Sequence, residues 1–209
     1  METFCMTTEF DIKDSGDRRG FDTGATRDVD YDKPRFDLIP TTVIKTIINT
    51  KTYPFTRLDE FGVSDNIKAQ LWNLGMGWGD DPSNNNLIHI IQIVLDVIMQ
   101  QEKDAPLMHN DDSDNSFHII SPKTYYRLAN HYGGGAKKYD PWNWAKGMPL
   151  SVFHASLMRH IFSIIENETD EDHLSAIFFN AASILHFNLI HRDDLDDVTP
   201  RVKGWYNEA

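Results

Sequence analysis

The chain has 209 residues, of which 20 are Lys or Arg and 32 are Asp or Glu, so its formal net charge is −12. This charge excludes a protein that binds nucleic acid mainly through the phosphate backbone, because such binding needs a cationic surface. Hydrophobic residues make up 40% of the chain, which is enough for a packed core and excludes a wholly disordered protein.

The sequence carries no pattern of export or membrane insertion. A single cysteine, Cys5, cannot form an internal disulfide. The first residues are acidic where a secretory signal is basic and then apolar. The most apolar stretch, residues 87–99, contains His89, Gln92 and Asp96, so it is too short and too polar to span a bilayer. We therefore expect a soluble, cytoplasmic protein with no membrane partner.

The N-terminal part of the chain predicts one helix after an irregular start. Residues 1–33 show no sustained period and predict a tail or strap. Residues 33–40 form a short apolar segment between two prolines, which favours a fixed extended turn. A helix is predicted from Thr41, with Thr41 or Thr42 as its N-cap. Its apolar residues fall at helical spacing: Val43, Ile44, Ile47 and Ile48.

The next part combines a helix with polar segments. Residues 51–79 mix glycine, proline and aromatic residues, and we predict no regular element there. Residues 80–86 are typical of a loop that ends in a helix cap. Residues 87–101 keep apolar side chains at helical spacing and predict a buried helix. Residues 109–116 predict a second polar loop.

Two further helices have clearer start signals. Ser121 is a candidate N-cap with Pro122 at the first helical position, and the glycines at 133–135 predict the end of that helix. Ser151 is the candidate N-cap of the next helix. Its predicted apolar stripe consists of Phe153, Leu157, Ile161, Ile164 and Ile165.

A third helix is predicted to begin in the acidic cluster at residues 170–172, since negative charge favours a helix N-terminus. Its inward residues are Leu174, Ile177, Phe178, Ala181, Leu185 and Leu189. This helix and the preceding one form an α-hairpin. We predict a mainly α fold, a helical bundle built round this hairpin over residues 34–192, followed by an exposed acidic tail at 193–209.

Residues 133–149 hold the densest group of unusual side chains. Three glycines allow close backbone approach, and the indoles of Trp142 and Trp144 can stack on a base. Lysines add local positive charge to an acidic protein: Lys137, Lys138 and Lys146. The segment is either a nucleotide platform or a packing loop, and it is not a Walker loop because GxxxxGK[ST] is absent.

The hairpin carries a candidate cation site. His173 and Asn180 are seven residues apart and share a helix face, with Asp172 beside them. Together with His160 and Glu166 they offer oxygen and imidazole ligands for Mg²⁺ or Mn²⁺. The alternative is that the acids only favour the helix N-terminus and that the histidines pack in the helix interface.

Several blocks together resemble a phage-associated family, the dATP/dGTP diphosphohydrolase N-terminal domain, which is related to MazG-like all-α NTP pyrophosphatases. The resemblance covers residues 20–45 and 121–192. Its blocks are residues 21–28, 33–40, 135–139 and 142–149, with Arg159-His160 and the helix from His173 to Asn180.

The resemblance implies metal-dependent hydrolysis of a purine deoxynucleoside triphosphate to monophosphate and pyrophosphate, which would adjust a phage nucleotide pool in the host cytoplasm. The implied catalytic residues are His160, Glu166, Asp172 and His173, with Mg²⁺ or Mn²⁺ held by Glu166, Asp172 and His173. The implied nucleotide-binding residues are Arg27, Lys33, Arg35, Lys137, Lys138, Tyr139, Trp142, Asn143, Trp144, Lys146, Arg159 and Asn180.

Two alternatives stay open at this point. The same residues would also suit a protein that binds or sequesters nucleotides without hydrolysing them. Residues 46–120 separate the two blocks, and we interpret them as an insertion that serves as a lid or as an interaction surface; in the second case the protein would be a protein-interaction module with the helical core as its scaffold. Two long apolar helices in a small domain also predict a homodimer or homotetramer.

Overall fold

The structure is a computed structural model that describes residues 18–20, 22–28, 33–50, 63–103 and 120–207. The chain divides into two compact units, residues 1–33 and 34–209. The first unit contains a two-stranded antiparallel sheet, β1 (Arg18–Gly20) and β2 (Thr26–Asp28), in which Arg19 is opposite Arg27. The N-terminal segment predicted as a tail or strap thus contains a short hairpin.

The described part of the second unit is helical, as the sequence predicts. None of its helices has the length and apolar composition needed to cross a bilayer. Its seven described α-helices are α1 (Thr41–Asn49), α2 (Asp65–Asp80), α3 (Asn84–Gln101), α4 (Pro122–Tyr139), α5 (Leu150–Ile165), α6 (His173–Leu189) and α7 (Thr199–Asn207).

Helix α6 lies at the centre of the bundle. It packs against α5 and α3 most extensively and also against α4 and α1. Apolar side chains surround its axis, and a helix that is apolar on all sides is stable only when neighbours cover it. The predicted α-hairpin of α5 and α6 is confirmed, and Phe153, Leu157 and Ile161 of the predicted stripe are buried.

Helix α3 is part of the core. This burial differs from what we would expect if residues 46–120 formed only a lid or a surface for a partner. Ten residues of α3 are buried, and it packs on α6 and α2. The buried helix predicted at 87–101 is confirmed, with a start three residues earlier. The rest of the interpretation of residues 46–120 as an insertion stays a prediction, and the polar loop predicted at 109–116 lies outside the described residues.

Helix α2 occupies a glycine-rich segment where the sequence predicted no element. Ser64 caps it by accepting a hydrogen bond from the backbone N–H of Ile67 at 3.4 Å. A Cβ at Gly75 would come within 2.5 Å of Met158 Sδ on α5. The glycine therefore permits the close approach of α2 to α5, although it lowers the helix propensity of the segment.

The predicted helix starts are partly correct. Ser121 caps α4 as predicted, since its Oγ accepts from the N–H of Thr124 at 3.2 Å. The predictions that Thr41 or Thr42 caps α1 and that Ser151 caps α5 are wrong. Prolines occupy both N-cap positions, and Thr41, Thr42 and Ser151 lie inside their helices.

The end of the chain is not an exposed tail throughout. Asp197 accepts hydrogen bonds from the backbone N–H of Ser151 at 2.9 Å and from its hydroxyl at 2.6 Å. This remote carboxylate satisfies an N–H group in the first turn of α5. Val198 and Val202 are each only 8% exposed, so the predicted exposed tail is wrong for this part of the segment.

Helix α4 continues through the glycines that predicted its end. It runs to Tyr139 and ends at Asp140, whose φ of 74° is incompatible with further helix. Gly134 and Gly135 are exposed on this helix, and a Cβ at either position would meet nothing within 4 Å. Packing therefore decides the helix length here, against local propensity.

We expect Gly134→Ala to raise the free energy of unfolding by about 0.5–1 kcal/mol, because alanine in an open helical position is favoured over glycine. Gly147→Ala is the contrasting variant. Gly147 has φ 90°, and a Cβ there would come within 2.8 Å of Leu195 Cδ1, so this variant should lose about 1–3 kcal/mol. Urea denaturation measures both, and a destabilised Gly134→Ala protein would contradict a helical residue 134.

Candidate functional site: a histidine and carboxylate group beside an aromatic cavity

Three potential cation ligands meet where α5 ends and α6 begins. Nδ1 of His160 lies 3.2 Å from Nδ1 of His173. Oε1 of Glu171 lies 3.4 Å from the first nitrogen and 3.9 Å from the second. We call His160, Glu171 and His173 the ligand group. It joins two side chains predicted as catalytic to one that the sequence marked only as helix N-terminal charge.

The two imidazoles are buried, whereas Glu171 reaches solvent. His160 and His173 are 6% and 4% exposed, and the Glu171 side chain is 54% exposed. Burial lowers the pKa of His160, Glu171 opposes that shift, and the nearby charge of Arg159 adds to it. His160 is thus uncharged at neutral pH, as an imidazole must be to bind a cation.

Asp170 fixes the orientation of His173. Its Oδ1 lies 2.9 Å from His173 Nε2. A carboxylate only accepts hydrogen bonds, so Nε2 carries the hydrogen and Nδ1 presents its lone pair to His160 and Glu171. Asp170 also belongs, with Glu168 and His173, to a second set whose potential ligand atoms lie within 4.8 Å of one another.

Asp172, predicted as a catalytic and metal-binding residue, is occupied by structural contacts. Arg127 donates to both of its oxygens, at 2.8 Å each. The backbone N–H of Ser175 donates at 3.2 Å and its hydroxyl at 2.6 Å, so Asp172 is also the N-cap of α6. Burial would raise the pKa of Asp172, but the bonds from Arg127 and Ser175 outweigh it and lower the pKa to about 2.

Glu166, the other carboxylate predicted as a ligand, is not brought to the ligand group. It is the exposed C-cap of α5, and it appears in neither set of potential ligands among the described residues. Glu166 is close to His173 in sequence, but the turn between α5 and α6 lies between the two residues.

A cavity of about 580 Å³ opens beside the ligand group and has His160 and Glu171 in its wall. Helix α4, the following loop and the hairpin line it. Its aromatic side chains are Tyr132, Tyr139, Trp142, Trp144, Phe153 and Phe179, and its polar ones include His131, Lys138, Asn143, Ser156 and Asn180. The size and the mixed wall are typical of a small-molecule site.

Two features of the cavity wall lower the stability of the fold unless a bound ligand compensates for them. The Tyr132 hydroxyl and Trp144 Nε1 are buried and have no hydrogen-bond partner among the described residues. Trp142 has φ 63°, a strained conformation for a bulky residue, and is 46% exposed at the cavity. Such strain and unpaired polar atoms concentrate at functional sites.

The predicted nucleotide-binding residues divide between the cavity and other places. Tyr139, Trp142, Asn143, Trp144 and Asn180 line the cavity, as does Lys138. Lys146 donates to the Asn143 side chain at 3.3 Å, and Arg159 donates to Ser156 at 3.0 Å, so both contact wall residues without being part of the wall.

Two further predicted cations of the second unit, Lys137 and Arg35, are not among the residues that line this cavity. Lys137 is exposed on α4. Nε and Nη2 of the Arg35 guanidinium donate hydrogen bonds to Asp37, at 2.8 and 2.7 Å. Arg27 lies in β2 and Lys33 at the end of the first compact unit.

His131, which had no predicted role, is a residue of the cavity wall near the ligand group. Burial lowers the pKa of His131, while the charges of Asp172 and Glu171 oppose that shift. Its ring lies 5.8 Å from that of Phe179. His131 already lay inside the predicted helix, and no local pattern distinguished it there from the other histidines.

The fold and site thus define a mainly helical protein with a histidine and carboxylate group beside a cavity that has an aromatic wall. A family model described as dATP/dGTP diphosphohydrolase, N-terminal, matches residues 104–197. That range includes α4, α5, α6 and the whole ligand group. No curated protein and no solved structure matches the chain significantly.

The ion pair between Arg127 and Asp172 gives a test by pH. The folded-state pKa of Asp172 is lowered to about 2 from 3.8, so its contribution is present above pH 4 and is lost as the pH falls towards 2. Because the pair is partly exposed, we expect this contribution to be about 1–2 kcal/mol. Arg127→Met should lower stability at pH 7 by about 2 kcal/mol and flatten the acid dependence.

Urea denaturation at pH 7, 5 and 3 measures both effects. Lys123→Met, which removes a neighbouring cation from the same helix but leaves Asp172 bonded to Arg127, is the matched control. Equal slopes of stability against pH in Arg127→Met and the unmodified protein would contradict the assigned role of Arg127.

Proposed function

We propose that the protein hydrolyses a purine deoxynucleoside triphosphate between the α and β phosphates, releasing a monophosphate and pyrophosphate. Water oxygen forms a bond to the α phosphorus, and the bond from that phosphorus to the α–β bridging oxygen breaks. The bridging oxygen leaves with the pyrophosphate, and the proton of the water passes to solvent.

One observation carries this proposal: His160 and Glu171 belong both to the ligand group and to the wall of the aromatic cavity. A base held by the aromatic side chains would therefore have its phosphates near the only described group of this wall that combines imidazole and carboxylate ligands. The family match over residues 104–197 supports the same substrate class.

The ligand group fits a divalent cation, Mg²⁺ or Mn²⁺ in the proposal. Two buried imidazoles and an exposed carboxylate offer three ligand atoms, all within 4.8 Å of one another. When bound, the cation supplies charge neutralisation of the phosphates and a lower pKa for the attacking water. Glu171 and the two histidines hold it, and Asp170 keeps the His173 ring in place.

The other wall residues bind the nucleotide. Trp142 and Tyr139 present exposed aromatic faces at the cavity, which suits stacking on a purine. The Lys138 ammonium lies 4.9 Å from the Tyr139 ring centre and can reach a phosphate oxygen from there. Arg159 lies beside Ser156 and His160 on the phosphate side.

The direct test uses the metal-stripped full chain, resupplied with Mg²⁺ or Mn²⁺, and each common nucleoside triphosphate in water labelled with ¹⁸O. We expect deoxynucleoside monophosphate and pyrophosphate from a purine substrate, with the label in the monophosphate. Diphosphate with orthophosphate, or label in the pyrophosphate, would contradict the proposal. Tight binding with intact nucleotide recovered would establish the non-hydrolysing alternative instead.

Glu171→Gln should lower kcat by about 100-fold or more, because it removes the charged ligand of a cation that acts in the transition state. Asp65→Asn, a change of an exposed acid on α2, is the matched control and should keep full activity. Glu166→Gln tests the carboxylate that the sequence predicted as a metal ligand against Glu171, which the structure places in the ligand group. A larger loss from Glu166→Gln than from Glu171→Gln would contradict the ligand group.

Trp142→Ala should raise KM roughly ten-fold with little change in kcat, since stacking on a base stabilises ground and transition states alike. Trp72→Ala is the matched control, because Trp72 is 37% exposed on α2 and does not line the cavity. Steady-state kinetics with the preferred triphosphate measures both variants. An unchanged KM in Trp142→Ala would remove Trp142 from the base site.

The predicted homodimer or homotetramer stays a prediction. The mass of the full chain in solution at micromolar concentration tests it directly.

A further inference from the structure

We infer that the ligand group selects a first-row transition-metal ion, such as Mn²⁺, Fe²⁺, Co²⁺ or Zn²⁺, over Mg²⁺. This deepens the proposed function by naming the class of cation, and it rests on that function only in making the ion a catalytic one. Selection itself is a property of His160, Glu171, His173 and Asp170.

The separations of the three ligand atoms suit a single ion. The edges of their triangle are 3.2, 3.4 and 3.9 Å. A triangle of this size admits a point about 2 Å from every corner, which is the bond length of a first-row divalent ion to imidazole nitrogen or carboxylate oxygen. The side chains therefore need little rearrangement to bind such an ion together.

The ligand types decide between the cation classes. Two of the three atoms are imidazole nitrogens of buried rings, which are 6% and 4% exposed. Mg²⁺ prefers oxygen ligands and keeps several waters, whereas imidazole is a good ligand for the later divalent ions. Two histidines and one carboxylate with open positions form a set typical of catalytic transition-metal sites.

The contact of Asp170 with His173 is the second, independent observation. A histidine that binds a metal commonly donates its other N–H to a carboxylate, which fixes the tautomer and makes the ring a stronger ligand. Nε2 of His173 has this partner at 2.9 Å, and Nδ1 faces the ligand group. Asp170 is 77% exposed, so the contact is not required to bury an acid.

The approach of the two Nδ1 atoms needs either a hydrogen atom or a cation between them. With hydrogen on Nε2, His173 presents a lone pair to His160 at 3.2 Å. In the absence of a metal ion, a proton on His160 Nδ1 satisfies that lone pair. A cation can replace this proton, after which His160 carries its hydrogen on Nε2, and the Arg159 group 3.5 Å away must turn aside.

The experiment is calorimetric titration of the metal-stripped full chain with MnCl₂ and with MgCl₂ in the absence of nucleotide. The electron paramagnetic resonance signal of free Mn²⁺ provides a second readout. We expect about one tight Mn²⁺ site and an affinity for Mg²⁺ at least 100-fold weaker. Comparable affinities for the two ions would overturn the inference.

Variants locate the site. His173→Ala should abolish tight Mn²⁺ binding, and Asp170→Asn should weaken it about 10- to 100-fold as the loss of an orienting partner. Because Asp170 is exposed, its variant tests the site even if His173→Ala fails to fold. His89→Ala, on α3, is the matched control and should bind Mn²⁺ normally. Unchanged Mn²⁺ affinity in Asp170→Asn and Glu171→Gln would overturn the assignment.

The two proposals fail in different ways. Tight, selective Mn²⁺ binding without turnover of any nucleotide would leave this inference standing and remove the proposed function. Hydrolysis with equal affinity for Mg²⁺ and Mn²⁺ would support the function and overturn the inference.

Discussion

The burial of α6 is the constraint on which the rest of the structure depends. This helix is apolar on every side, so α3, α4, α5 and α1 must all lie against it. Two of its buried polar side chains bond within the helix: Asn180 donates to the carbonyl of Ala176 and Ser183 to that of Phe179, each at 2.8 Å. The ligand group lies at the N-terminal end of α6, where His173 contacts His160 and Asp170.

Placing a site at the end of a fully packed helix gives it rigidity that a loop would lack. Arg127 of α4 binds Asp172 at the N-terminal end of α6, and His160 of α5 contacts His173 there. Helices α4, α5 and α6 therefore fix the position of His173 together. The ion pair between Arg127 and Asp172 is partly buried, and its contribution to the stability of the fold depends on both partners being present.

Most of α4 and of the α-hairpin was predictable, because the sequence signals for these helices are local and agree with one another. Ser121 with Pro122, the stripe on α5 and the acids before α6 all indicate helices through short-range chemistry. The errors arise where distant contacts decide. Asp197 satisfies the first turn of α5 from 46 residues away, and packing keeps α4 helical through its glycines. Close contact with Met158 favours the glycine in α2 that weakened the helical pattern.

For the site, the sequence named the two histidines that the structure places in the ligand group and most aromatic residues of the cavity wall, whereas the carboxylates that it named lie outside that group. Glu166 and Asp172 were selected by nearness in sequence. Whether a carboxylate is available depends on what else it touches, and Asp172 is fully engaged by Arg127 and Ser175. No periodicity or spacing contains that information.

The three acidic residues at 170–172, in the turn before α6, have different contacts and therefore different roles. Asp170 orients the His173 ring, Glu171 faces the cavity beside His160, and Asp172 caps the helix and binds Arg127. Three neighbouring negative charges would repel one another in an open loop. Here Arg127 neutralises one of them, the His173 N–H binds another, and Glu171 alone remains directed at the ligand group. A net charge of −12 therefore says little about binding, because the local pairing of acids decides which of them can hold a cation.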